Sequence, residues 1–158
     1  MRAFAAGAVL LLVTGCTAPG GVPCTEIGAV PGVNVTVEKA SAAGVTALSL
    51  RVCWAGDCTD HDVVLSPGSD SIDQGCEGDE PDAACSATVV PNSSQVGFVE
   101  VPDLPAGEVL IGATLREGKR SAELPEVPIQ AETTYPNGPQ CEPAANQAQV
   151  TISADGLR

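Results

Sequence analysis

Cysteine is the residue type in this chain with the most chemistry to offer. Zinc sites are commonly built from C-x₂-C pairs and histidines, but the chain has no such pair and a single His, so disulfide bonding is the favoured use. An odd number of cysteines leaves one thiol that needs a different role. The seven cysteines are Cys16, Cys24, Cys53, Cys58, Cys76, Cys85 and Cys141.

The segment before the first cysteine supplies that role. Arg2 is followed by an uninterrupted run of apolar or small residues from Ala3 to Val13. The run is shorter than the roughly 20 residues of a membrane-spanning helix and fits the apolar part of a signal peptide. Val13-Thr14-Gly15-Cys16 resembles the lipobox of bacterial lipoproteins. That resemblance implies cleavage before Cys16 and attachment of lipid to its sulfur, and two or more acyl chains give stable membrane anchoring.

This leader defines the expected organisation of the chain. We expect a lipoprotein signal peptide at 1–15, a Gly/Pro tether at 16–23 and a single domain at 24–158. The predicted location is the extracytoplasmic face of the cell membrane, where disulfides persist. The membrane is therefore the first predicted partner, reached through the lipid anchor.

The six remaining cysteines allow 15 pairings, and the sequence alone does not choose among them rigorously. Spacing favours one arrangement. Cys53 and Cys58 flank a short loop between two alternating apolar runs, which is a hairpin signal, and Cys76 and Cys85 enclose a polar loop. Cys24 and Cys141 would then join the start of the domain to a late loop. Loop-closure entropy assigns about 2 kcal/mol to the Cys53–Cys58 ring and about 5 kcal/mol to the long ring.

Carboxylates are concentrated between residues 69 and 82, a segment that reads as an acidic loop. Calcium takes 6–8 oxygen ligands from such side chains, although the ordered D-x-[DN]-x-[DN]-G pattern is absent. The alternative is a solvated loop stapled by Cys76–Cys85, because charge runs usually face water. The candidate Ca²⁺ ligands are Asp70, Asp73, Glu77, Asp79, Glu80 and Asp82.

Catalytic signals are few. There is no G-x-S-x-G nucleophile elbow, and a Ser-His-Asp triad would have to use His61, beside which the sequence places no nucleophile. We therefore expect no catalytic residues and no enzyme activity. A hydrolase with an unrecognised site stands as an alternative.

The elements that must position these residues are strands. Alternating runs occur at 33–38, 45–53, 58–65, 86–90, 96–101, 109–116, 127–131 and 149–153, separated by Pro, Gly, Asn and Asp turns, a spacing that predicts a β-sandwich. The stretch from Phe98 to Val109, with Leu104 and Gly107 in its turn, resembles a strand–turn–strand unit of immunoglobulin-like modules. The expected fold is therefore an all-β, immunoglobulin-like sandwich of about seven to eight strands.

The Cys53–Cys58 hairpin fixes a register that the structure can test. If these cysteines are opposite one another, Arg51 is opposite Asp60 and Ser49 is opposite Asp62 on one face of the hairpin. On the other face Leu50 is opposite His61, which turns the only histidine toward the core. The Arg51–Asp60 pair would be worth about 0.2–1 kcal/mol.

Composition limits the partners. The chain has 20 acidic and 7 basic residues, a net charge of −13, and only 3 % aromatic residues. Such a surface repels nucleic acid and anionic headgroups, so nucleic acid is excluded as a partner. The sequence thus predicts a lipid-anchored, non-enzymatic binding or interaction module whose partner is an unidentified extracytoplasmic protein or small ligand, with a calcium- or cation-binding module as the alternative.

Overall fold

The computed structural model describes residues 23–78, 80–142 and 144–158. The predicted signal peptide, the lipidation residue Cys16 and all of the tether except Pro23 lie outside these ranges. None of the helical segments in the described part has the length and hydropathy of a membrane span.

Strands make up nearly all of the regular structure. They are β1 (Gly32–Val37), β2 (Ala47–Trp54), β3 (Asp57–Val63), β4 (Leu65–Cys76), β5 (Cys85–Glu100), β6 (Gly107–Glu117), β7 (Arg120–Thr134), β8 (Ala145–Ser153) and β9 (Gly156–Leu157). A single short helix, α1 (Lys39–Ala42), follows β1 within the described residues.

The strands form two layers joined through β7. One sheet runs β3-β2-β6-β7 and the other continues β8-β1-β5-β4, with β9 beside β8. The first part of β7 pairs with β6, whereas its end, from Glu132, pairs with β8. β1 pairs parallel to β8 and antiparallel to β5, so this sheet is mixed.

The core lies between the two layers and is aliphatic. Alternate residues of β1 and β8 from one sheet meet alternate residues of β2 and β6 from the other. Burial of such side chains stabilises the fold by roughly 1.5–3 kcal/mol each. The most deeply buried include Val33, Val35, Val37, Leu50, Val52, Ile111, Val150 and Ile152. The prediction of an all-β sandwich with disulfide crosslinks is confirmed.

The β2–β3 hairpin has the register that the sequence predicts. Cys53 is opposite Cys58, Arg51 is opposite Asp60, and Leu50 is opposite His61. The turn is tighter than the expected four-residue loop, because Trp54 and Asp57 also pair. Its two central residues, Ala55 and Gly56, both have positive φ, as two-residue hairpin turns require.

The acidic segment is the main correction to the predicted elements. Residues 70–76 are not a loop, because they belong to β4 and pair with the first part of β5. The acidic loop is reduced to residues 77–84. We call residues 69–91, formed by the paired ends of β4 and β5 and this loop, the arm. It lies beyond the last pairing between β5 and β1, which is at Gln95.

The two ends of the sandwich differ. The end where β1 and β8 begin carries the Cys24–Cys141 disulfide, and we call it the near end. The arm leaves from the opposite, far end, where β1 ends and β6 turns into β7.

Candidate functional site

A cleft opens in the edge of the sandwich where β3 gives way to β4. Its volume is about 540 Å³. Three buried residues form its apolar floor, namely Val45 before β2, Leu48 in β2 and Val63 at the end of β3. The cleft exists because the β2–β3 pairing ends at Leu48 and Val63, so the two strands separate beyond that point. We call it the edge cleft.

A buried oxygen without a partner lies in the wall of the edge cleft. Gln95 is opposite Val37, which is fully buried, and therefore points between the two sheets. Within the described residues, its Oε1 is the buried side-chain polar atom that lacks a hydrogen bond. A buried acceptor without a donor costs about 1–3 kcal/mol. Gln95 lines the edge cleft, and its Oε1 would have to turn toward the cleft to accept a hydrogen bond from a bound molecule.

The rim of the edge cleft is polar and carries both signs of charge. Arg116 of β6 and Asp62 of β3 line it together with Thr46 and Thr114. The Thr46 hydroxyl donates to the Arg116 carbonyl at 3.2 Å. In the part of the chain that the structure describes, the ion pairs of arginine are made by Arg51 and Arg158 and not by Arg116. The Arg116 guanidinium is thus available to an anionic group at the rim.

The surroundings of His61, which lies outside the edge cleft, bear on the hydrolase alternative. His61 is half-buried in β3, and its Nε2 lies 2.8 Å from the Thr59 hydroxyl. None of the hydrogen bonds found among the described residues links His61 to a serine or a carboxylate. A triad requires the histidine to be in contact with both. The hydrolase alternative therefore stays a prediction and gains no geometric support.

The predicted calcium ligands are spread over the arm. The Asp70 carboxylate accepts a hydrogen bond from Asn92 Nδ2 at 2.7 Å, and Asp73 accepts one from the Gly75 amide at 2.7 Å. Glu77, Glu80 and Asp82 are exposed in the loop, and Asp79 lies outside the described residues.

No cluster of these carboxylates emerges in the described ranges. The group of three or more candidate metal ligands found there is Cys53, Cys58 and Glu126, and both of its sulfurs are used in a disulfide. Calcium binding stays a prediction, and the arrangement of the described ligands does not favour it.

The three disulfides follow the pairing that spacing favours. The Cα atoms are 5.7 Å apart in Cys24–Cys141, 4.1 Å in Cys53–Cys58 and 3.9 Å in Cys76–Cys85. The last two each join residues directly opposite one another on paired strands. All six cysteines after Cys16 are therefore engaged.

The near end is held by bonds around Asn137. Its side-chain amide donates to the carbonyls of Thr25 at 3.1 Å and Ile27 at 2.6 Å, and the Thr25 hydroxyl bonds to its Oδ1. Gln147 donates to the Val30 carbonyl at 2.9 Å. The segment that follows the predicted tether is thereby fixed to the near end of the sandwich.

Sequence reasoning did not find the edge cleft. Its residues come from the segment before β2 and from β2, β3, β4, β5 and β6, and none of them belongs to a recognisable motif. The single available signal is Gln95, a polar residue between the apolar runs of β5.

The chain matches no protein-family model, no curated protein and no solved structure at a significant level.

Proposed function

We propose that this protein is a lipid-anchored extracytoplasmic binding module, without enzymatic activity, that holds a small amphipathic ligand in the edge cleft. The observation that carries this proposal is the partnerless, buried Gln95 Oε1 beside an apolar floor. The apolar body of such a ligand would cover the apolar floor, and its hydrogen-bond donor would pair with Gln95 Oε1. Ligand sites commonly combine such an apolar lining with a few polar groups that fix orientation.

The anchoring part of the proposal draws on the lipobox and on the disulfides. Three disulfides fit an oxidising compartment, and Cys24 follows the predicted lipidation residue by only a short tether. The near end would then face the bilayer, with the far end directed away from it.

The anchor is tested by a single substitution. In cells that process lipoproteins, we expect the wild-type chain in the membrane fraction, with an intact mass that shows acyl groups on Cys16. Cys16→Ser should remove both the acyl mass and the membrane association. An unmodified Cys16 in the wild-type protein would contradict the anchoring part.

The ligand site is tested by NMR with a panel of short-chain primary amides, alcohols and carboxylates as probes. A bound probe should shift the side-chain amide signal of Gln95 and the methyl signals of Leu48. Ala47→Trp, at an exposed position lining the cleft, should abolish these shifts by filling the space. The matched control is Ala122→Trp on the exposed start of β7, which should leave them intact.

A different result of this NMR experiment would contradict the proposed ligand site. If no probe moves the Gln95 and Leu48 signals, or if the shifts persist in Ala47→Trp, the edge cleft is not the binding site.

A further inference from the structure

The first strand segment of β5, Cys85–Pro91, has a free backbone edge within the arm. On one side it pairs with β4. On the other side β1 stops at Gln95, and in the described ranges no strand takes its place. Unpaired edges present rows of free N–H and C=O groups that can accept another strand.

The side chains of this segment make the edge unusually open to pairing. From Cys85 to Pro91 the sequence is CSATVVP, with no charged residue. Val89 is 68 % exposed. The outer edge of β4 within the arm is different, because it carries Asp70 and Asp73, and natural sheets use charged side chains to block edge pairing. The β4 edge of the arm is therefore protected by charge, whereas the β5 edge carries no charge and has a proline, Pro91, only at the base of the segment.

We propose that two copies of this chain associate through the arm, with Cys85–Pro91 of one copy pairing antiparallel to the same segment of the other. A two-fold axis at Thr88 places Ala87 opposite Val89 of the second copy and Ser86 opposite its Val90. No charge faces another charge along this edge. The result is a four-stranded antiparallel ribbon, which gives the two-stranded arm the additional strands that independent stability requires.

Charge complementarity favours a second copy as the occupant. In this antiparallel arrangement the acidic loop at the tip of one arm lies beside the base of the other arm. A groove at the base of the arm is lined by Asn92, Lys39 and Glu38. The Glu38 carboxylate is paired with Arg158, whereas Lys39 takes part in none of the ion pairs of the described residues. The acidic loop of one copy would thus lie beside the unpaired ammonium group of Lys39 in the other copy.

The remaining acids of the arm do not oppose the pairing strongly. Asp70 and Asp73 lie on β4, so the two β4 strands would be separated by three strand spacings, about 14 Å. That distance exceeds the Debye length of about 8 Å at physiological salt.

A cysteine at the two-fold axis tests the proposal in the full-length protein. In an antiparallel pair the two Thr88 Cα atoms would lie about 4.5–5.5 Å apart, within disulfide reach. Under mild oxidation Thr88→Cys should give a covalent dimer on non-reducing gels, while intact mass shows the three internal disulfides preserved. Ser71→Cys is the matched control, since it lies exposed on β4 and should remain monomeric.

A second pair of variants tests the pairing without a crosslink. Val89→Glu places a charge on the proposed edge and should reduce the dimer mass, measured by light scattering in detergent, to that of a monomer. Ile72→Glu makes the same charge change at an exposed apolar position of β4 and should retain the dimer.

Three outcomes would overturn the proposal. One is a monomeric wild type together with no Thr88→Cys crosslink. Another is equal crosslinking of Ser71→Cys, which would indicate random collision. Assemblies larger than dimers would also contradict the two-fold arrangement.

Discussion

Arg51 shows how one side chain connects three strands on the outer face of the sandwich. Its Nη1 lies 3.5 Å from Asp60 on β3, and its Nε lies 3.3 Å from Glu126 on β7. The second contact reaches across β6 at Gly112, where an added Cβ would lie 3.1 Å from Glu126 Cγ. The two carboxylates and the arginine are substantially exposed, so each pair contributes about 0–1 kcal/mol.

Gly97 is a stronger structural constraint than this network. An added Cβ would lie 2.5 Å from Val63 Cγ1 and 2.9 Å from the Val64 carbonyl, at the point where the chain passes from β3 to β4. Gly97→Ala should therefore destabilise the fold by about 1–3 kcal/mol, measured by urea unfolding. Ser86→Ala, an exposed change in the same strand, should leave the midpoint unchanged. Equal midpoints for the two variants would show that the chain relaxes around the new methyl group.

Single-residue contacts divide into those that the sequence predicts and those that it does not. The Arg51–Asp60 pair follows from the hairpin register, which the Cys53–Cys58 spacing fixes. The Arg51–Glu126 contact depends on an irregularity in the β6–β7 pairing after Ile111. No local sequence pattern predicts this irregularity. From the sequence alone, Gln95 cannot be distinguished from an exposed polar strand residue, because its burial depends on how the two sheets pack.

At the scale of elements, β4 and β7 show where pattern reasoning fails. The second half of β4 is rich in Ser, Gly and Asp, which have low strand propensity, and its conformation is set by pairing with β5. β7 contains Pro125 and Pro128, which interrupt the apparent strand. β1 and β2, whose buried residues recur at every second position over most of their length, were predictable because burial imposes a period of two residues.

The arm is an element that can open locally without unfolding the sandwich. It makes few buried contacts, and low local burial lowers the free energy of local opening. Replacing both cysteines of its tip disulfide, Cys76→Ser with Cys85→Ser, should remove about 2–3 kcal/mol from the arm. Hydrogen exchange should accelerate over residues 69–91 and stay unchanged in β1 and β8. Faster exchange in those core strands would show that the arm and the sandwich unfold together.

At the scale of the whole molecule, charge and topology define two different ends. A net charge of −13 keeps the surface hydrated and opposes non-specific association with other acidic surfaces. The near end is compactly crosslinked, whereas the far end carries the arm, with the edge cleft at the margin between β3 and β4. Both proposed binding surfaces therefore lie away from the residues that follow the predicted lipid anchor.

The disulfide of the near end should contribute most to the stability of the whole fold. Cys24 and Cys141 are 117 positions apart, whereas Cys53 and Cys58 are 5 apart. Chain-entropy arguments give about 5 kcal/mol for the long ring and about 2 kcal/mol for the short one. In urea unfolding, Cys24→Ser with Cys141→Ser should lower the free energy of unfolding by about 3–5 kcal/mol, and the hairpin pair by about 2 kcal/mol. A larger loss from the hairpin pair would mean that register in the β2–β3 hairpin, rather than loop closure, controls the stability of the sandwich.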